Sequence, residues 1–299
     1  MPKFRKPLPA ELPEPEVKDL PALAADLRSG AVELVCVLGP TASGKTKYAV
    51  RLARELAGLG LEAEIISADS RQVYRGMDIG TGKDLAEYQE IPYHLIDIRE
   101  AGTQYNVYDF VQDFRLAFAD IRSRGRVAIL CGGTGLYINA VTAGYDFRTS
   151  KPLSQPADSG RLSVAGSGGG HSATATHVPA KKTSVTAITP GTEIPRTYFI
   201  GTLVSREVRN ARIDARLQAR LQEGMVDEIR GLLAGGVPAE TLIGYGLEYK
   251  FVTLYLQGQL DEQELFDKLS TAIHQFAKRQ MTWFRGMERS GVKIHWVEV

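Results

Sequence analysis

The residues Gly39-Pro40-Thr41-Ala42-Ser43-Gly44-Lys45-Thr46 form the stretch most specific for chemistry. An apolar run from Val32 to Leu38 leads into them, and a segment of helical spacing from Tyr48 to Leu59 follows. A strand, a glycine-rich turn and Gly-Lys-Thr opening a helix make the phosphate-binding P-loop pattern. Glycines let consecutive backbone N–H groups converge on phosphate oxygens, and the helix N-terminus adds partial positive charge. Lys45 has the reach for the outer phosphate, and the Thr46 hydroxyl suits a magnesium ion, Mg2+. The pattern specifies an anion but not its owner, because such loops hold nucleotides and other diphosphates alike.

Two further polar tips have to be positioned with this loop. Asp69 lies in Ser67-Ala68-Asp69-Ser70-Arg71-Gln72, after the apolar Glu64-Ile65-Ile66 run. Gly132-Gly133-Thr134-Gly135 follows a buried-type strand from Val127 to Cys131. Tyr93 to Ile98 reads as another strand, and Val107 to Ser123 repeats Phe110, Phe114, Phe118 and Ile121 at helical spacing. Strands alternating with helices predict an α/β fold of P-loop NTPase-like type, a parallel sheet flanked by helices. Ligands in such sheets sit at the carboxyl ends of the strands, where these tips fall.

Composition excludes several classes. The 299 residues are 43% hydrophobic and 24% charged with a net charge of +1, which is ordinary for a globular protein and gives no global pull toward nucleic acid. Cys36 and Cys131 sit in apolar runs and read as small buried hydrophobes of a reducing compartment. No stretch has the length of a membrane span, and no signal-peptide core opens the chain, so the expected compartment is the cytoplasm.

The organisation predicted along the chain is an N-terminal extension (1–30), a P-loop core (31–147), a Ser/Gly-rich disordered linker (148–195) and a helical C-terminal portion (196–299). His171 and His177 within the linker have no Cys or carboxylate at ligand spacing and read as solvated. After a strand at Tyr198 to Val204, one long helix is expected from Arg206 to Leu233. It has an apolar stripe and an opposite face carrying Arg209, Arg212, Arg216 and Arg220. Interspersed acids make that face equally consistent with an ordinary solvated surface. Leu242 to Leu256 and Glu262 to Arg285 are further helices, and Lys293 to Val297 a last strand.

Four motifs in this order resemble the tRNA dimethylallyltransferase (tRNA isopentenyltransferase) family. They are the P-loop, the run from Ser67 through Asp69 to Gly80-Thr81-Gly82-Lys83, Gly132-Gly133-Thr134-Gly135-Leu136-Tyr137, and Ala277 to Arg285. The resemblance covers about Val32 to Phe147 and Tyr198 to Val297. It implies transfer of a dimethylallyl group from dimethylallyl diphosphate to N6 of an adenosine next to the anticodon, with release of pyrophosphate. The P-loop would then hold a prenyl diphosphate with Mg2+ on Thr46, and tRNA would be the partner, with no protein partner implied. Asp69 matches the family's base position, and Lys45 and Thr46 join it as catalytic residues. Asp69, Ser70, Arg71, Gln72 and Thr134 match positions around the acceptor nucleotide. Gly244, Tyr245 and Glu248 match one tRNA-facing segment, and Lys278, Arg279, Gln280, Thr282, Trp283 and Arg285 match another. Gly246 stands where family members often carry an arginine, and the linker stands where they carry a helical insertion.

Three other readings compete. A free adenine nucleotide could be the acceptor, as in adenylate isopentenyltransferases, and the short middle favours this. The P-loop by itself also permits a small-molecule kinase. A binding protein that lost catalysis with its middle region is the third.

Overall fold

The computed structural model describes residues 19–146, 151–152 and 194–299. The N-terminal residues 1–18 and most of the predicted linker, with His171 and His177, lie outside the described residues. The chain opens with α1 (Leu20–Ser29), capped by the Asp19 carboxylate, which accepts from Ala22 N at 3.0 Å. Next come β1 (Leu34–Leu38), α2 (Lys45–Ala57), β2 (Ala63–Ser67), a short 3-10 turn (Leu85–Glu87) and β3 (Tyr93–His94). They are followed by α3 (Val107–Ser123), β4 (Val127–Gly132), α4 (Gly135–Thr142) and a small pair, β5 (Tyr145–Asp146) with β6 (Lys151–Pro152). The C-terminal part supplies β7 (Thr197–Leu203), α5 (Arg206–Gln222), α6 (Met225–Ala234), α7 (Ala239–Tyr245), α8 (Leu247–Leu256), α9 (Glu262–Arg289) and β8 (Ile294–Glu298).

The main sheet is parallel and six-stranded, in the order β3-β2-β4-β1-β7-β8. Strands β1, β2 and β4 are buried at every position, as a sheet covered on both faces requires. Alternate residues serve opposite layers. Leu34, Cys36 and Leu38 face α3, α4 and the C-terminal half of α9, through Phe110, Phe114, Ile138, Met281 and Phe284. Val35 and Val37 face α2, through Ala49, Leu52, Ala53 and Leu56. A separate core joins α5 to α9 with Val73, Tyr74 and Met77 of the loop after β2, so the helical part is packed onto the Asp69-bearing loop.

Differences from the sequence reading have local causes. The strand expected over Tyr93 to Ile98 stops at His94, because Leu95 (φ 63°) and Asp97 (φ 55°) turn left-handed. The turned segment pairs with the Asp69 loop instead, Asp97 N donating to Gln72 O at 3.1 Å and Ile98 N to Val73 O at 2.9 Å. The long helix expected from Arg206 breaks at Gly224, whose φ of 105° no helix interior accepts. The helix expected over Leu242 to Leu256 breaks at Gly246 into α7 and α8. Among the described residues no helix is long and apolar enough to cross a membrane.

Candidate active site

Register decides which tips meet. Leu38 pairs with Gly132 on one side and Gly201 on the other, and Ser67 pairs with Cys131. The P-loop, the Asp69 loop and the Gly132-Gly133 loop therefore leave the sheet at one level. They surround a cavity of about 570 Å³, closed from the side by α5 and α9.

Within the P-loop, Thr41, Ala42, Gly44, Lys45 and Thr46 line this cavity. Ala42 and Gly44 adopt left-handed backbone (φ 60° and 77°), which tightens the turn ahead of α2. Lys45 sits at the α2 N-terminus, where burial pulls its ammonium below the usual lysine range, against the opposing pull of Cys131 and Asp69. Ser43, Gly39 and Pro40 do not line the cavity. Ser43 is fully buried and its hydroxyl shares a 2.6 Å hydrogen bond with Thr202 of β7, so it pins the loop to the sheet. Gly39 admits that bond, since a Cβ there would lie 2.1 Å from Thr202 Oγ1.

Asp69 lines the same cavity as Lys45 and Thr46. Its Oδ1 accepts from Arg71 N at 3.0 Å, a local turn that aims the carboxylate, and it lies 3.8 Å from Arg71 Nε. Arg71 in turn donates to Glu248 Oε2 at 2.9 Å and lies over the Phe276 ring. Burial works against the Arg71 charge, but Glu248 and Asp69 outweigh it and hold the guanidinium above its ordinary value. Gly246 makes room for this arrangement, as a Cβ there would come within 2.8 Å of Arg71 Cδ. Gln72 spans from Ser67 Oγ (3.2 Å) to Gly82 O (3.3 Å), fixing the Gly80-to-Lys83 loop.

Several predicted contact residues also tie the loops of the site together. Gln280 of α9 is buried; its Oε1 accepts from Thr41 N at 2.8 Å and its Nε2 donates to Gly133 O at 2.9 Å, bridging the P-loop to the Gly132-Gly133 loop. Thr134 Oγ1 accepts from Ser70 N at 3.3 Å, so those two residues tie their loops together. Trp283 packs on Gly135, where a Cβ would lie 2.3 Å from the indole, and its Nε1 has no hydrogen-bond partner among the described residues. Tyr245 accepts from Gly102 N at 2.7 Å, donates to Thr103 O at 2.8 Å and packs its ring at a tilt against Tyr74; neither it nor Gly244 reaches the cavity. Lys278, Arg279 and Thr282 stand exposed along α9, and Arg285 is half-buried beyond them.

The arginines of α5 are where the sequence left two options open. Arg212, Arg216 and Arg220 line the cavity, at helical spacing on one face; Arg212 is exposed at its rim, and Arg220 is the most buried of the three. Burial, with Arg216 beside it, pulls Arg220 down to about 10. Its Nη2 is buried with no hydrogen-bond partner among the described residues. Arg209, two turns before Arg216 on the same face, does not line the cavity. Cys131 is buried, as its apolar run predicts, and also contributes to the cavity wall; burial pushes its thiol up to about 12.

No group of three or more His, Cys, Asp or Glu able to hold a metal occurs among the described residues. The donor set nevertheless fits magnesium, which binds through few protein oxygens and completes its shell with phosphate and water. The Thr46 hydroxyl lines the cavity within the P-loop and offers such an oxygen. The arrangement can hold a polyanion at the P-loop and α5, and place a carboxylate against whatever lies next to it.

Comparison with known proteins agrees with this geometry. The family model described as IPP transferase matches residues 72–167 and 170–287. The chain is 51% identical to a tRNA dimethylallyltransferase 2 of Porphyromonas gingivalis, over 89% of this chain and 93% of that protein. It is 48% identical to a tRNA dimethylallyltransferase 1 of Parabacteroides distasonis, over 89% and 92%. Among solved structures, a tRNA isopentenylpyrophosphate transferase of Bacillus halodurans superposes with a TM-score of 0.67 at 28% identity, covering 89% of each chain. By sequence along most of its length, and by fold, the chain belongs to the IPP transferase family.

Proposed function

We propose that this protein is a tRNA dimethylallyltransferase, moving a dimethylallyl group from its diphosphate to N6 of an adenosine next to the anticodon. The observation that carries the reading is the shared cavity. A P-loop lysine at a helix N-terminus and the Asp69 carboxylate line one wall-to-wall space, in a chain about half identical to proteins of that name.

The residues divide the work. An exocyclic adenine amine is a weak nucleophile, and Asp69 accepts its proton as the C–N bond forms. The C–O bond to the diphosphate breaks, and charge gathers on pyrophosphate. Lys45, the loop N–H groups and the α5 arginines Arg216 and Arg220, all in the lining of the cavity, stabilise that charge. Thr46 would hold magnesium, which would supply further charge neutralisation when bound. Arg71 and Glu248 keep Asp69 aimed, and Gln280 holds the two loops at fixed spacing. The acceptor base has to leave its stack to enter. Exposed Lys278, Arg279 and Thr282 are then free to meet RNA phosphates on the same helix that carries Gln280. The cytoplasm, reducing and rich in tRNA, suits a chain whose two cysteines, Cys36 and Cys131, are both unpaired.

Incubation with labelled dimethylallyl diphosphate and either unmodified tRNA or AMP tests this. Label appearing on tRNA alone is the expected result; label on AMP alone would make the protein an adenylate isopentenyltransferase. Turnover of ATP without prenyl transfer would replace both with a kinase.

A further inference from the structure

Two carboxylates in the cavity, Asp84 and Glu87, have no part in the chemistry above; Glu87 lies 3.6 Å from Lys47, and Asp84 meets the α5 arginines. The Asp84 side chain is 48% exposed, and the residue precedes the short 3-10 turn without forming a capping bond. Its Oδ2 accepts from Arg216 Nη2 and lies 3.9 Å from Arg220 Nη2, too far for a hydrogen bond. The loop that carries it is braced. Glu228 accepts from Asp78 N (2.7 Å), Ile79 N (2.7 Å) and Gly80 N (3.1 Å), and buried Lys83 is held by Asp78 and Asp97. Gly82 lets the loop press on α5, since a Cβ there would meet Arg220 Nη2 at 1.7 Å.

We propose that Asp84 is a resident counter-ion of the anion site, whose carboxylate neutralises the Arg216–Arg220 pair before the diphosphate arrives and competes with it afterwards. The proposal rests on the transferase reading. Two guanidinium groups one helical turn apart repel each other, and Arg220 is already short of hydrogen bonds. A single carboxylate eases that repulsion but satisfies only one fork. A diphosphate has enough oxygens for both forks and displaces it. The scaffold of Glu228 and Lys83 keeps the loop in place, so the displaced carboxylate stays close to the bound anion. Its repulsion then limits affinity and speeds departure of pyrophosphate. Asp84 is therefore a residue that sets affinity and release and not a catalytic one.

The test is calorimetric titration of wild type, Asp84→Asn and Asp84→Glu with pyrophosphate in magnesium, alongside steady-state transfer to tRNA. Removing one unit charge about 4 Å from the anion should tighten pyrophosphate binding about fivefold in Asp84→Asn, because the half-exposed carboxylate is screened nearly as in bulk water. KM for dimethylallyl diphosphate should fall with it, and kcat should fall as release slows. Asp84→Glu, which keeps the charge, should stay near wild type. A structural role predicts the opposite sign, so binding that is unchanged or weaker in Asp84→Asn overturns the proposal. Asp84→Ser repeats the measurement without the amide, and a melting curve for each variant separates misfolding from weak binding. If wild type and all variants bind neither pyrophosphate nor dimethylallyl diphosphate, the transferase reading falls first.

Discussion

At the amino ends of β2 and β4, Glu64 is buried among His94, Arg124 and Arg126; at the carboxyl ends of the same strands, the α5 arginines surround the cavity beside Lys45. Both are charge clusters on one sheet, about five residues apart along β2, yet they are balanced differently. Glu64 Oε2 accepts from Arg124 at 3.0 Å and pairs with His94 at 2.6 Å, while Oε1 accepts from Arg126 at 2.6 Å. At the cavity six cationic side chains face four carboxylate side chains, and Arg220 Nη2 has no hydrogen-bond partner among the described residues. A cluster whose hydrogen bonds are complete is a strut. One left with a buried donor and surplus positive charge is built to take up an anion.

That contrast can be broken by experiment. The largest effect is expected at Asp69, where Asp69→Asn should lower kcat about a thousandfold, the range of a lost general base, while dimethylallyl diphosphate still binds. Single-turnover transfer and equilibrium binding check both halves, and near-normal turnover would remove Asp69 from the mechanism. Arg220→Met should lower kcat/KM about a hundredfold, as expected when one donor to developing charge is lost, with little change in melting temperature. If it melted instead as Glu64 variants do, the two clusters would not differ in kind.

Glu64→Gln should do the reverse. It should cost roughly 2 kcal/mol of stability, less than a fully buried pair because its arginines are 38–39% exposed, and leave kcat per folded molecule unchanged. The pH dependence follows with a definite sign. Burial works against the Glu64 charge, but hydrogen bonds from Arg124, His94 and Arg126 outweigh it and hold the carboxyl at about 2, below its unfolded value. Its stabilisation is therefore complete above the unfolded carboxylate range and is lost as pH falls toward 2. Wild type should lose melting temperature more steeply than Glu64→Gln between about pH 5 and pH 2. The smallest effect belongs to exposed Lys278. Lys278→Ala should weaken tRNA binding about threefold and flatten its salt dependence by about one phosphate contact, without altering diphosphate affinity.

The strands and the P-loop were legible because they rest on local pattern: Val32 to Leu38 and Val127 to Cys131 are apolar runs punctuated by glycine. Breaks at Gly224 and Gly246 were not legible, since a lone glycine in helical spacing marks either tolerance or a stop. The direction of the α5 arginines was hidden for a different reason. Periodicity says that Arg212, Arg216 and Arg220 share a face, but only the tertiary placement of the loop carrying Gly82 and Asp84 says what that face meets. Gln280 and Ser43 add a different lesson: motif membership puts them at the ligand, and only their hydrogen bonds show that they also brace the loops, Gln280 from the cavity wall and Ser43 behind it.

The alignment of Leu38 with Gly132 and of Ser67 with Cys131 has a consequence for how such a protein can change. Deleting one residue from β4 would draw its loop back by about 3.3 Å and also exchange its two faces, sending Cys131-side residues to the α3 layer. Intermediate positions do not exist. Sheet spacing thus acts as a ruler with coarse divisions, and variation in this catalyst is confined to side chains and to the lengths of connections away from the strand ends.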